Sequence, residues 1–176
     1  MDRQRIDAIV QAVADRLDGE WLLVGGSLVA LWIDTRRTTE DVDLLPVRGA
    51  KDARMALLGL AADLGLPVEA LNSAADFFVE RIPKWANEIE VLRKGKRGTV
   101  YRPSPTLFLL LKIRRLSEED LADCLALIDK AARESLAIDA KRVLREIDAL
   151  PAPEDKGVRG RRDRLRARLR GQRSPG

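Results

Sequence analysis

Along the first eighteen residues, apolar side chains recur at helical spacing. Ile6, Ile9, Val10, Val13 and Leu17 share one face, which predicts an amphipathic helix over 2–18. Asp18-Gly19 interrupts that period, and "EWLLVGG" (20–26) reads as a buried strand. Ser27 is a good N-cap for a second helix, "SLVALWI" (27–33). A polar connection from Asp34 to Glu40 leads into a strand, "DVDLLPV" (41–47), and a further helix spans roughly 50–64 before Gly65. The middle of the chain predicts more sheet. "DFFVERI" (76–82) and "NEIEVLR" (87–93) are strand candidates, and "GTVYR" (98–102) pairs with the latter as a hairpin across Lys94-Gly95-Lys96. From Pro105 onward the period is helical: "TLFLLLKIRRL", "EEDLADCLALIDKAARES" and "DAKRVLREIDAL". Pro151 and Pro153 then mark a boundary. The fold class expected is α+β: a small mixed β-sheet core with flanking helices over 1–103, a helical C-terminal subdomain over 104–150, and a basic, disordered tail over 151–176.

Composition narrows the chemistry. The chain has 176 residues, no histidine and one cysteine, Cys124. Histidine-dependent triads, imidazole-based zinc sites, cysteine-rich metal sites and internal disulfides are therefore excluded. Any metal must be hard and oxygen-bound, which favours magnesium or manganese. No signal peptide and no membrane-spanning run is legible, so a cytoplasmic location is expected. The net charge of +4 conceals an asymmetry. From Lys156 to Gly176, nine basic residues against one acidic residue leave +8; the remaining 23 basic and 27 acidic residues leave −4.

The stretch "LLVGGSLVALWIDTRRTTEDVDLL" (22–45) concentrates the candidate chemistry. Residues two apart on a strand project from one face, with alpha carbons about 6.5–7 Å apart, so Asp41 and Asp43 point together. Two like charges so placed raise one another's pKa unless a cation lies between them. Magnesium bridged to substrate phosphates meets that need. Gly25 and Gly26 let backbone approach a ligand closely, and the helix opened by Ser27 points its free N–H groups outward. Each piece alone has a plainer reading: a strand-to-helix turn for Gly-Gly-Ser, a solvated edge for Asp-x-Asp. Their order and tight spacing favour a phosphate and metal site.

Gly26-Ser27 followed by Asp41-x-Asp43 resembles the signature of the DNA polymerase beta-like nucleotidyltransferase superfamily. "RRTTEDVDL", with Arg37, Thr39, Asp41 and Asp43, is similar to the Arg-x-Thr-x-Asp-x-Asp form of its minimal bacterial branch, the AbiEii/MenT-type toxins. The resemblance covers about residues 20 to 130. It implies that 1–103 is a nucleotidyltransferase core, that Asp41 and Asp43 hold magnesium or manganese, and that Gly25, Gly26, Ser27, Arg37 and Thr39 bind the nucleotide. It further implies Glu90 of "NEIEVLR" as the third carboxylate, a metal ligand or base, where many relatives have aspartate. In "LLLKIRRLSEEDLADCLAL", Lys112, Asp120 and Asp123 match a lysine closing one helix and an Asp-x-x-Asp opening the next. The arginine of that pattern is displaced: Arg114 and Arg115 lie near, and Ser117 occupies the slot. Asp120 is equally the third residue of a capping box begun by Ser117, and Asp123, one turn later, is placed to orient Lys112.

The expectation is an enzyme that transfers NMP from an NTP to an acceptor hydroxyl. By resemblance, the acceptor is tRNA and the chain is the toxin of a toxin–antitoxin pair, with a cognate antitoxin as partner. The tail, "VRGRRDRLRARLRGQR", lacks a conventional amphipathic face although Leu165 and Leu169 share one side, and it reads as an arm contacting RNA phosphates. Two other classes compete: an inactive nucleotide- or RNA-binding module on the same fold, and a protein-interaction subunit. Within the enzyme class, an antibiotic-modifying nucleotidyltransferase is the alternative.

Overall fold

Asp2 starts the first helix by accepting the Arg5 N–H at 2.9 Å. This helix, α1 (Arg3–Arg16), buries Ile6, Ile9, Val10 and Val13 of the stripe that the periodicity predicts, whereas Leu17, its C-cap, is extended and half-buried. In this computed structural model, residues 1–73 and 79–171 are described, and they divide into two units, Met1–Pro103 and Ser104–Gly176.

The first unit carries the sheet. Strand β1 (Gly19–Val24) is buried from Trp21 to Val24, which explains its unbroken apolar run. It leads without a loop into helix α2, which begins at Gly25 and runs to Ile33. From Val29 onward α2 widens: the Asp34 N–H reaches back five residues to the Val29 carbonyl at 2.9 Å. Strand β2 (Val42–Arg48) follows, then helix α3 (Ala53–Asp63) and a two-residue strand β3 (Leu71–Asn72). A hairpin of β4 (Ile89–Lys94) and β5 (Gly98–Pro103) completes the unit.

Among the described residues, the strand order is β3-β2-β1-β5-β4. The sheet is mixed: β1 runs antiparallel to β2 and parallel to β5, and β2 runs parallel to β3. The hairpin falls where the sequence predicts it. "DFFVERI" fares differently: its first three residues lie outside the described residues, and Val79–Ile82 contains no strand. The sequence reading also missed β3, whose two residues carry no periodicity of their own.

In the second unit every regular element among the described residues is a helix. Ser104 accepts the Leu107 N–H at 3.2 Å and starts α4 (Pro105–Lys112). Ser117 starts α5 (Glu118–Glu134), and Asp139 starts α6 (Ala140–Ala149). The basic segment read as a disordered tail contains a capped helix, α7 (Lys156–Arg170), started by Asp155. Its apolar stripe is narrow, but Leu165 and Leu169 are fully buried. Arginine supplies the rest: Arg162 is buried and donates to the Pro151 carbonyl at 2.7 Å, while Arg161 donates to the Leu116 carbonyl at 2.6 Å. Long aliphatic stems let arginine line a helix–helix contact while its charged head finds carbonyls. No helix among the described residues is long and apolar enough to cross a membrane.

Candidate functional site

Where β1 ends, the chain turns into α2 through a residue that only glycine occupies without strain. Gly25 has φ +68°, and a Cβ added there would lie 2.2 Å from Oδ2 of Asp43. The absent side chain is thus the seat of a carboxylate. Gly26 repeats the arrangement more loosely: its Cβ would meet Oγ1 of Thr39 at 3.0 Å. The pairing of Val24 with Asp43 across β1 and β2 sets Asp43 beside this turn.

Asp41 stands one residue before β2. Its Oδ1 accepts the Thr39 hydroxyl at 3.1 Å, and its Oδ2 accepts the Asn72 side-chain amide at 3.3 Å. Thr39 is itself fixed, because its N–H donates to the Met1 carbonyl at 3.2 Å and its carbonyl accepts the N-terminal ammonium. Asn72 pairs with Asp43 in the β2–β3 ladder, so one residue braces both aspartates. The sequence reading passed over Asn72. No short-range signal marks it, because its role depends on a strand pairing 31 residues away from Asp41.

Ser27 is fully buried, and its hydroxyl donates to the Val24 carbonyl at 3.0 Å. The helix therefore starts two residues earlier than the predicted Ser27 cap, and the serine ties its first turn to the strand end. Arg37 lies half-buried in the α2–β2 connection, its N–H donating to the Asp34 carbonyl at 3.0 Å.

Glu90 is not brought to this pair. Leu22 pairs with Tyr101, which pairs with Val91; Glu90 pairs with Arg102, one residue out of phase. Since side chains alternate, Glu90 shares the face of Leu23 and Leu44, opposite that of Val24 and Asp43. Three strand spacings, about 14 Å, add to the separation. There Glu90 pairs with Arg102 at 2.5 Å, and Arg102 lies over the Trp32 ring, 4.0 Å from its centroid.

The donor set that remains is Asp43, paired with Val24 in the sheet, and Asp41, one residue before β2. Among the described residues no group of three or more acidic, cysteine or histidine side chains is placed to hold a metal ion. A pair nevertheless fits magnesium, which binds through one or two carboxylates and completes its octahedron with water and substrate phosphates. Each Asp41 oxygen accepts one hydrogen bond and keeps a second lone pair.

A second polar cluster forms within the helical unit. Lys112 Nζ donates to Asp120 Oδ1 at 2.8 Å and to Asp123 Oδ2 at 3.0 Å. Arg115 donates to both Asp120 oxygens, at 2.7 and 2.9 Å, and the Ser117 N–H donates to Oδ2 at 3.1 Å. Asp120 thus closes the capping box and binds the lysine with the same carboxylate; the two readings of the sequence describe one residue. Arg115, which the pattern left ambiguous, supplies the bidentate partner. Burial works to raise the Asp120 pKa, but Arg115 and Lys112 overcome it and hold the carboxyl well below the usual range. Burial likewise works to lower Lys112, and the two carboxylates keep it above its ordinary value. Buried Cys124 has its thiol pushed far up by desolvation, so it does not act as a nucleophile.

Comparison of the chain with protein-family models, curated proteins and solved structures finds no match.

Proposed function

We propose that the sheet unit belongs to the class of metal-dependent transferases acting on nucleoside triphosphates. Within that class, our reading is a nucleotidyltransferase that moves NMP from an NTP to an acceptor hydroxyl. The observation that carries it is the Asp43 carboxylate seated in the space of the missing Gly25 side chain, with Asp41 held alongside. This sets two anions against the start of a helix, whose first N–H groups have no intrahelical acceptor and suit phosphate oxygens.

Asp41 and Asp43 would hold the magnesium, which when bound would supply Lewis-acid neutralisation of phosphate charge. The chain's own residues do the rest. Thr39 and Asn72 orient the Asp41 carboxylate, because both donate to it. Gly25 yields its side-chain space to the Asp43 carboxylate, and the first N–H groups of α2 are left for the triphosphate. In the transfer the acceptor oxygen bonds to the α-phosphorus as the bond to pyrophosphate breaks, and an aspartate oxygen takes the hydroxyl proton. The acceptor we favour is RNA, with tRNA the class named by the motif resemblance. A toxin role restrained by an antitoxin follows from the same resemblance.

Incubation of the protein with magnesium, each α-labelled NTP and total RNA tests this. Labelled RNA with wild type and none with Asp41→Ala/Asp43→Ala is the expected result; equal labelling by the variant rejects it. The position of Glu90 favours a second reading, a module that binds nucleotide without turnover, because the carboxylate that the motif offers as the third lies on the sheet face opposite Asp43. Calorimetric binding of NTP–magnesium with no labelled product would select it.

A further inference from the structure

Beside Asp41 lies an open cavity of about 560 Å³ that the mechanism does not use, formed within the sheet unit between α3 and the end of β3. Its volume lies inside the usual range for small-ligand sites, roughly 300–1,000 Å³. Leu57 and Leu58 form an apolar wall, and Val68, 63% exposed, stands at the rim with its side chain uncovered by the core. The polar lining is Arg54, Glu69, Asn72 and Ser73, together with Asp41 itself.

The charges exclude a triphosphate here. One arginine faces two carboxylates, whereas phosphate sites gather donors and cations. Arg54 and Glu69 are exposed, have no ion-pair partner among the described residues, and do not pair with each other. An apolar wall with separate donors and acceptors at its mouth suits a planar, uncharged ring bearing both kinds of group. Asp41 is the shared element: one side of it belongs to the carboxylate pair, the other to this cavity.

We propose that the cavity takes the terminal nucleoside of the acceptor, with the base against the leucine wall and the ribose hydroxyls toward Asp41. This assignment rests on the transferase reading of Asp41 and Asp43, but binding of the nucleoside needs neither metal nor NTP. The probes are therefore adenosine, guanosine, cytidine and uridine, titrated one at a time into the full chain without either, with backbone amide shifts as the readout. At least one nucleoside should bind one-to-one and shift Leu58, Val68 and Asn72. Leu58→Trp, which fills the cavity, should weaken it about tenfold or more, and the surface variant Glu69→Ala several-fold. Asp43→Ala should bind the nucleoside as wild type does, although NTP–magnesium binding is lost. No shifts with any of the four overturns the proposal, and so does unchanged binding by a folded Glu69→Ala together with Leu58→Trp. Nucleoside binding without NTP labelling of RNA would retain the pocket and reject the transfer; labelling with acceptor KM unchanged in both variants would do the reverse.

Discussion

The Gly25 position joins backbone conformation to chemistry. Its φ of +68° and the Asp43 oxygen in its Cβ space mean that Gly25→Ala must both strain the turn and push the carboxylate aside. The strain alone costs about 1–3 kcal/mol. Manganese binding followed by electron paramagnetic resonance should fall about tenfold or more in this variant, since a displaced ligand no longer chelates. Gly26→Ala should lose less, because Thr39 Oγ1 stands farther off at 3.0 Å and its side chain can turn away. Thr39→Val keeps the shape but removes the hydroxyl that Asp41 accepts, so its loss should appear in metal affinity with little change in melting temperature. Equal affinity in Gly25→Ala and wild type would detach this turn from metal binding.

At the scale of elements, the α4–α5 junction is the most electrostatically organised part of the helical unit. Leu116 adopts φ +42°, uncommon for a leucine, and is held there by full burial and by the Arg161 bond to its carbonyl. That turn presents Arg115 and Ser117 to Asp120. Lys112 is shared by two buried carboxylates, so Lys112→Met should destabilise the unit by up to about 3–5 kcal/mol in urea unfolding, although Asp120 keeps Arg115. The pH dependence has a definite sign. The Asp120 pKa is depressed in the folded state, so its contribution is complete above the unfolded carboxyl value of about 3.9 and is lost as pH falls through the folded value. Lys112 is raised, so its contribution is complete below the unfolded lysine value of about 10.4 and disappears as pH rises through the folded one. Asp120→Asn should accordingly flatten the acid limb of the stability curve; an acid limb matching wild type would contradict this assignment. Helix α7 belongs to the same structure. Arg161→Ala frees the Leu116 carbonyl, and thermal melts should show it to be less stable than the exposed control Arg164→Ala.

Over the whole chain, the basic excess is concentrated after Lys156, and part of it is spent on packing. Arg161, Arg162, Arg166 and Arg168 engage carbonyls or carboxylates of the helical unit. Arg164 and Arg170 are exposed on α7 and have no ion-pair partner among the described residues. If RNA phosphates bind this surface, log affinity should fall linearly with log salt, by about 0.7 per phosphate neutralised on a single strand. Arg164→Gln/Arg170→Gln should lower that slope by about 1 to 1.5 without shifting the melting temperature. An unchanged slope would move the RNA surface elsewhere.

What the sequence determined by itself was local. Helical period located α1, α5 and α6; alternating and continuous apolar runs located β1, β2 and the β4–β5 hairpin; and glycine beside paired aspartates marked the candidate chemistry. These features depend on neighbours within a few residues, so a linear reading reaches them. Tertiary structure decided the rest. Strand pairing put Asn72 beside Asp41 and Asp43, and the same registers sent Glu90 to the opposite face, because a shift of one residue reverses every side chain on a strand. Burial turned an arginine-rich segment into a docked helix, since only a partner surface makes use of the stripe of Leu165 and Leu169. The cavity beside Asp41 likewise arises where α3 and β3 come together, from residues whose spacing along the chain carries no pattern.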